Sequence, residues 1–101
     1  MNNITKVSDI TYTDIADYCR IGDISDTDTV NTLKTLLTVS KAYITQYTGK
    51  TLAELDDLQD VIICVLILCQ DMWDNRTLYV DKSNANRVVE SILSLHAENL
   101  L

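Results

Sequence analysis

The chain has 101 residues, enough for one domain with a modest core, and its hydrophobic fraction of 47% lets it fold without disulfides or metal. Fifteen acids against eight lysines and arginines leave a net charge of −7, with the cations scattered singly. This argues against a nucleic-acid binder, which draws most of its affinity from a basic stripe that neutralises phosphates.

The cysteines Cys19, Cys64 and Cys69 make no even-numbered framework and read as reduced core residues of a protein made in the cytoplasm. The opening MNNITKVSD lacks the apolar stretch of a secretory signal, and residues 1–9 are read as an N-terminal arm.

Thr11 to Asp14 then form a capping-box-like pattern, with Ile10 and Ile15 in the positions of a hydrophobic staple. A first helix is expected from about Tyr12 to Arg20, stopping at Gly22. Ser25 with Asp28 repeats the start signal. Val30, Leu33, Leu37, Ser40, Ile44 and Tyr47 follow at three-and-four spacing, so a long amphipathic helix is expected from about Asp26 to Thr48, ended by Gly49.

Glu54, Asp56, Asp57 and Asp60 charge the start of a third helix, expected to begin near Asp56 or Asp57, whose stretch from Leu58 to Asn75 holds the unbroken apolar run VIICVLILC from Val61 to Cys69. A membrane crossing needs roughly 18 or more apolar residues, so this run is buried in protein. Val61, Val65, Leu68 and Met72 fall on one face of it, and Ile62, Leu66, Cys69 and Trp73 on the adjoining one. So wide an apolar surface needs either several helices around it or a second subunit. After a break from Asn75 to Lys82, Ser83 or Asn84 can cap a last helix carrying Val88, Val89, Ile92, Leu93 and Leu95, with residues 96–101 as a tail. The expected fold is all-α, one domain over 1–101, a compact bundle of four main helices around a central apolar one.

No catalytic constellation is visible. The single histidine, His96, has no cysteine or acid beside it in sequence, and it reads as a surface or interface residue. Cys64 and Cys69, five apart, stand about 140° apart on a helix and cannot share a metal. The two glycines, Gly22 and Gly49, sit at helix ends, not in a phosphate loop. Asp56, Asp57 and Asp60 lack the glycine and spacing of a calcium loop. Leu33 to Leu58 can be forced onto a helix-turn-helix template, but its recognition helix would then present Glu54, Asp56, Asp57 and Asp60 to phosphates. The expectation is a protein that is not an enzyme and takes no cofactor and no metal.

Three segments in register carry a resemblance. They are ITYTDIADYCRIGD near the start, KAYITQYTGKTL closing the second helix and MWDNRT closing the third; the most specific parts are Ala42-Tyr43-Ile44, Tyr47-Thr48-Gly49-Lys50 and Trp73-Asp74-Asn75-Arg76. Together, over about Val7 to Leu95, the chain resembles the head-tail connector family of long-tailed bacteriophages, the small helical head-completion proteins also called DNA-packaging proteins.

The resemblance implies a structural virion protein, made in the bacterial host cytoplasm, that forms a cyclic homo-oligomer of about twelve copies beneath the portal. Such a ring extends the DNA channel and offers a docking surface to the stopper or tail-completion protein. Viral DNA passes through it without sequence-specific binding, and no membrane is involved. On this reading Trp73, Arg76, Leu95, Leu100 and Leu101 belong to a subunit or portal interface, with Arg76 either ending its helix or pairing with an acid of the next subunit. The channel-lining acids are expected among Asp23, Asp26, Asp28, Glu54, Asp56, Asp57 and Asp60, where they would repel the DNA backbone. The alternative class is a small acidic helical regulator or a DNA mimic.

Overall fold

The computed structural model describes residues 6–80 and 87–97. They form a 3-10 turn, Val7–Asp9, and five α-helices with no strand among the described residues: α1 (Tyr12–Tyr18), α2 (Thr27–Thr48), α3 (Leu52–Leu55), α4 (Asp60–Asn75) and α5 (Arg87–His96). The all-helical expectation holds, with α4 in the middle: α1, α2, α5 and the N-terminal turn all pack on it. Val61, Cys64, Val65, Leu66, Leu68, Cys69 and Met72 of α4 are buried, so both of its predicted faces are covered from within the chain. Trp73 is only half-buried and Ile63 looks outward, which leaves one side of the rod in solvent.

The helix ends differ from expectation in instructive ways. At the start of α1 the Asp14 carboxylate accepts from the Thr11 N–H at 2.8 Å, and Ile10 and Ile15 are both in the core. The helix then ends at Tyr18, short of the expected Arg20, and Arg20 makes the turn in place of Gly22: it adopts the left-handed conformation (φ 59°), and the Ile21 N–H reaches the Ala16 carbonyl at 2.9 Å. Such a turn normally takes glycine, because a Cβ crowds the backbone there. The cap of α2 is Asp26 in place of the expected Ser25; its carboxylate takes the Asp28 N–H. Gly49 closes α2 as expected, at φ 71°.

Two further corrections concern the middle of the chain. The inward stripe of α2 runs through Leu33, Leu36, Ser40, Ile44 and Thr48, so Leu36 takes the place expected for Leu37. Three-and-four spacing admits either residue; the roll of α2 against α4 selects Leu36. The third helix does not begin near Asp56 or Asp57. A separate turn, α3, comes first, held by Thr51 and Glu54, whose side chain takes the Thr51 N–H at 3.0 Å while the Glu54 N–H donates to the Thr51 hydroxyl at 3.3 Å. This turn drives Leu55 fully into the core, and the chain redirects before α4 starts at Asp60. Ser83 and Asn84, the expected caps of the last helix, lie outside the described residues.

The buried hydroxyls are satisfied locally. Ser40 and Thr48 donate to the carbonyls of Leu36 and Ile44 at 2.9 and 2.8 Å, and Ser40 also lies 3.1 Å from the Cys69 sulfur. Among the described residues no buried side-chain nitrogen or oxygen lacks a partner.

Candidate interaction surfaces

α2 and α5 each run antiparallel to α4, so the two ends of α4 carry different neighbours. At its C-terminal end the first turns of α2 approach, and between them opens a cleft of about 260 Å³. Leu36 and Met72 form its floor, Trp73 one wall, and Asp28, Arg76 and Leu78 lie on its rim. Arg76 is the second left-handed residue (φ 56°); its N–H and that of Thr77 turn back to Trp73 and Met72, ending α4. Its guanidinium lies 4.7 Å from the centroid of the Trp73 ring, a cation-π stack that helps to hold the left-handed turn. Among the described residues no carboxylate is paired with Arg76. Leu78 and Tyr79 follow with 56% and 61% of their surfaces exposed.

At the other end α4 begins where α5 finishes. The His96 Nε2 lies 2.9 and 2.8 Å from the two Asp60 carboxylate oxygens, so the histidine without an acid beside it in sequence has one in space. Each group sits where its helix favours it, an acid in the first turn of α4 and a basic side chain in the last turn of α5. Next to this pair a groove of about 520 Å³ is lined by Lys50, Glu54, Asp57, Leu58 and Leu95. Leu95 is the most exposed large apolar side chain of the described chain, at 80%. Leu100 and Leu101 lie outside the described residues.

Most of the candidate acids have a local partner. Asp23 accepts from the Ser25 N–H and hydroxyl, Glu54 closes the α3 turn, and Asp56 takes the Ser8 N–H and hydroxyl at 2.9 and 2.8 Å. These hydrogen bonds hold the carboxyls of Asp23, Glu54 and Asp56 below their ordinary range, because they stabilise the charged form. The Asp56 bond ties the N-terminal turn to the end of α3, and Val7 of that turn is 1% exposed. Asp26 caps α2, Asp60 holds His96, and Asp28 and Asp57 stand exposed on the two clefts.

The cysteines are chemically quiet. Burial pushes the Cys64 thiol up to about 12, with Asp60 adding to the shift. Cys69 rises to about 11, again through burial, which its hydrogen bond with Ser40 partly offsets. Cys19 is half-buried and also raised, by burial and then by Asp74. All three are free, and among the described residues no group of three or more His, Cys, Asp or Glu side chains could hold a metal ion. No described helix is long and apolar enough to cross a membrane.

The most specific parts of the sequence resemblance lie at the C-termini of α2 and α4. Ile44 is in the core, the Tyr43 and Tyr47 rings meet at a tilt of 41° with centroids 6.0 Å apart, and the Tyr47 hydroxyl lies 3.1 Å from that of Ser94 on α5. The exposed Leu78-Tyr79 pair was not singled out from sequence, although two large apolar residues directly after a helix end are a readable signal. The His96–Asp60 and Ser8–Asp56 pairs had no sequence signal. No family model matches the chain, and neither a curated protein nor a solved structure matches it.

Proposed function

We propose that this chain is a structural protein of a bacteriophage head-tail junction, a connector that assembles as a ring beneath the portal and passes the genome through its channel. The observation that carries the reading is the surface left after folding. A 101-residue chain that already covers its central helix still exposes Leu78, Tyr79, Val88 and Leu95 by more than half of each side chain's surface. Apolar and aromatic groups left exposed at both ends of α4 support a role in protein contact.

The net charge of −7 and the sequence resemblance over the C-termini of α2 and α4 support the same reading. A capping carboxylate keeps its charge, so the acids that hold the helix ends still contribute to an anionic collar that DNA slides past without adhering. Trp73 and Arg76, with Leu95, Leu100 and Leu101, are assigned to the contacts with neighbouring subunits and the portal.

The test is co-sedimentation and electron microscopy of the purified chain mixed with the portal protein encoded in the same genome. A stacked ring on the portal is the expected result. A genome with no portal gene, or a chain that stays in the supernatant at every portal concentration, would sink the reading.

A further inference from the structure

The two ends of α4 present opposite and matching surfaces. At the C-terminal end is a socket: an apolar floor of Leu36 and Met72, the Trp73 wall, and an Arg76 guanidinium with no carboxylate paired to it among the described residues. At the N-terminal end is a knob: Leu95, 80% exposed, with the carboxylates of Glu54 and Asp57 lining the same groove. At about 260 Å³ the socket falls just short of the range of about 300–1,000 Å³ usual for small-molecule pockets, a size that suits a single side-chain anchor. The two surfaces cannot reach one another within one chain. α4 has 16 residues, a length of about 24 Å, and it separates the Arg76 end from the end where Asp60 holds His96, the neighbour of Leu95.

We infer that the knob of one copy fills the socket of the next, with Leu95 against Trp73, Met72 and Leu36, and with Glu54 and Asp57 facing Arg76. Because the two patches differ and lie at opposite ends of α4, the contact is head-to-tail and propagates from copy to copy. Closure into a ring follows if the rotation per copy divides a full turn. The inference deepens the connector reading by naming the subunit contact, and it rests on that reading for its purpose but not for its geometry.

The experiment is light scattering of the full chain across a concentration series, with two single variants and their mixture. Both altered residues are exposed, so Leu95→Glu and Leu78→Glu should keep the helix content and melting temperature of the parent, which circular dichroism checks. The parent's average mass rises with concentration. Each variant alone stays a monomer, because a carboxylate now sits at the apolar contact or beside Glu54 and Asp57. Mixed one to one, the variants form a dimer and stop there, since the unaltered knob of one fits the unaltered socket of the other and no further junction is possible. Arg76→Gly, which keeps the left-handed turn but removes the cation, weakens association by about tenfold or more.

A parent that is monomeric throughout, either variant assembling like the parent, or a mixture that remains monomeric overturns the inference. The portal experiment separates the two readings. Portal binding by a parent chain that never self-associates through this contact would leave the connector reading standing without it, and head-to-tail assembly of a chain that ignores the portal would do the reverse.

Discussion

Replacing Leu66 with alanine tests whether α4 is the structural centre of the chain. Leu66 is 2% exposed in the middle of α4, among residues contributed by the surrounding helices. Removing a fully buried leucine side chain costs about 2–5 kcal/mol, of which part is lost transfer energy and part is the cavity left behind. Against a total stability of about 5–15 kcal/mol for a domain of this length, such a loss is severe. With an unfolding entropy of roughly 0.2 kcal/mol per kelvin for about 100 residues, a loss of about 3 kcal/mol lowers the midpoint by about 15 K.

Ile63→Ala supplies the control in the same helix. Its side chain is 36% exposed and its neighbours can relax toward solvent, so the cost falls to about 1 kcal/mol, or about 5 K. Both variants are melted by circular dichroism at two protein concentrations, so that coupling to assembly appears as a concentration-dependent midpoint. Equal shifts for Leu66→Ala and Ile63→Ala would refute the assignment of α4 as the buried rod.

Three other outcomes are expected. Arg20→Gly should raise the melting temperature and Arg20→Val lower it, by about 1–2 kcal/mol, because the position is left-handed and a β-branched side chain is worst there; the reverse order would mean that the turn is not left-handed in solution. Asp23, Glu54 and Asp56 have lowered carboxyl pKa values, so their contribution is complete above the ordinary carboxylate range near about 4 and is lost as the pH falls through the folded values. Thermal melts should therefore weaken below that range, and Asp56→Asn should flatten the dependence and speed amide exchange in the Val7–Asp9 turn that Ser8 anchors. In native protein a thiol reagent should label Cys19 first and leave Cys64 and Cys69 untouched, whereas all three react in denaturant; fast native labelling of Cys69 would contradict its burial against Ser40.

What could be read in the sequence is what acts over a few residues. The Thr11–Asp14 cap, Gly49 in its left-handed turn, the length of α2 and the apolar faces of α4 are set by neighbours three or four positions away. The α3 turn had the same kind of signal, Thr51 with Glu54, but the pair was absorbed into the acidic start of the next helix. Arg20 and Arg76 in left-handed turns escape any rule that looks for glycine; at the second the Trp73 ring takes the Arg76 guanidinium. The bonds between Ser8 and Asp56, Tyr47 and Ser94, and Asp60 and His96 join residues 48, 47 and 36 apart. No local pattern specifies such pairs; they follow from which helix ends the packing brings together.

That same packing turns a diffuse acidic composition into two distinct surfaces. In sequence the acids before α2 and those before α4 look equivalent, two clusters that start helices. The antiparallel arrangement sends them to opposite ends of the bundle, one beside Arg76 and Trp73, the other beside Leu95 and His96. At the first Arg76 is stacked on Trp73 with no carboxylate paired to it among the described residues, and at the second Leu95 projects almost fully from a group of carboxylates. A chain with so few cations that leaves one stacked on its single tryptophan, and that places acids around an exposed leucine at the far end, has the polarity needed for directional assembly. Two identical acidic ends would repel; these two differ in both charge and shape, and that difference is what would give the proposed head-to-tail contact its direction.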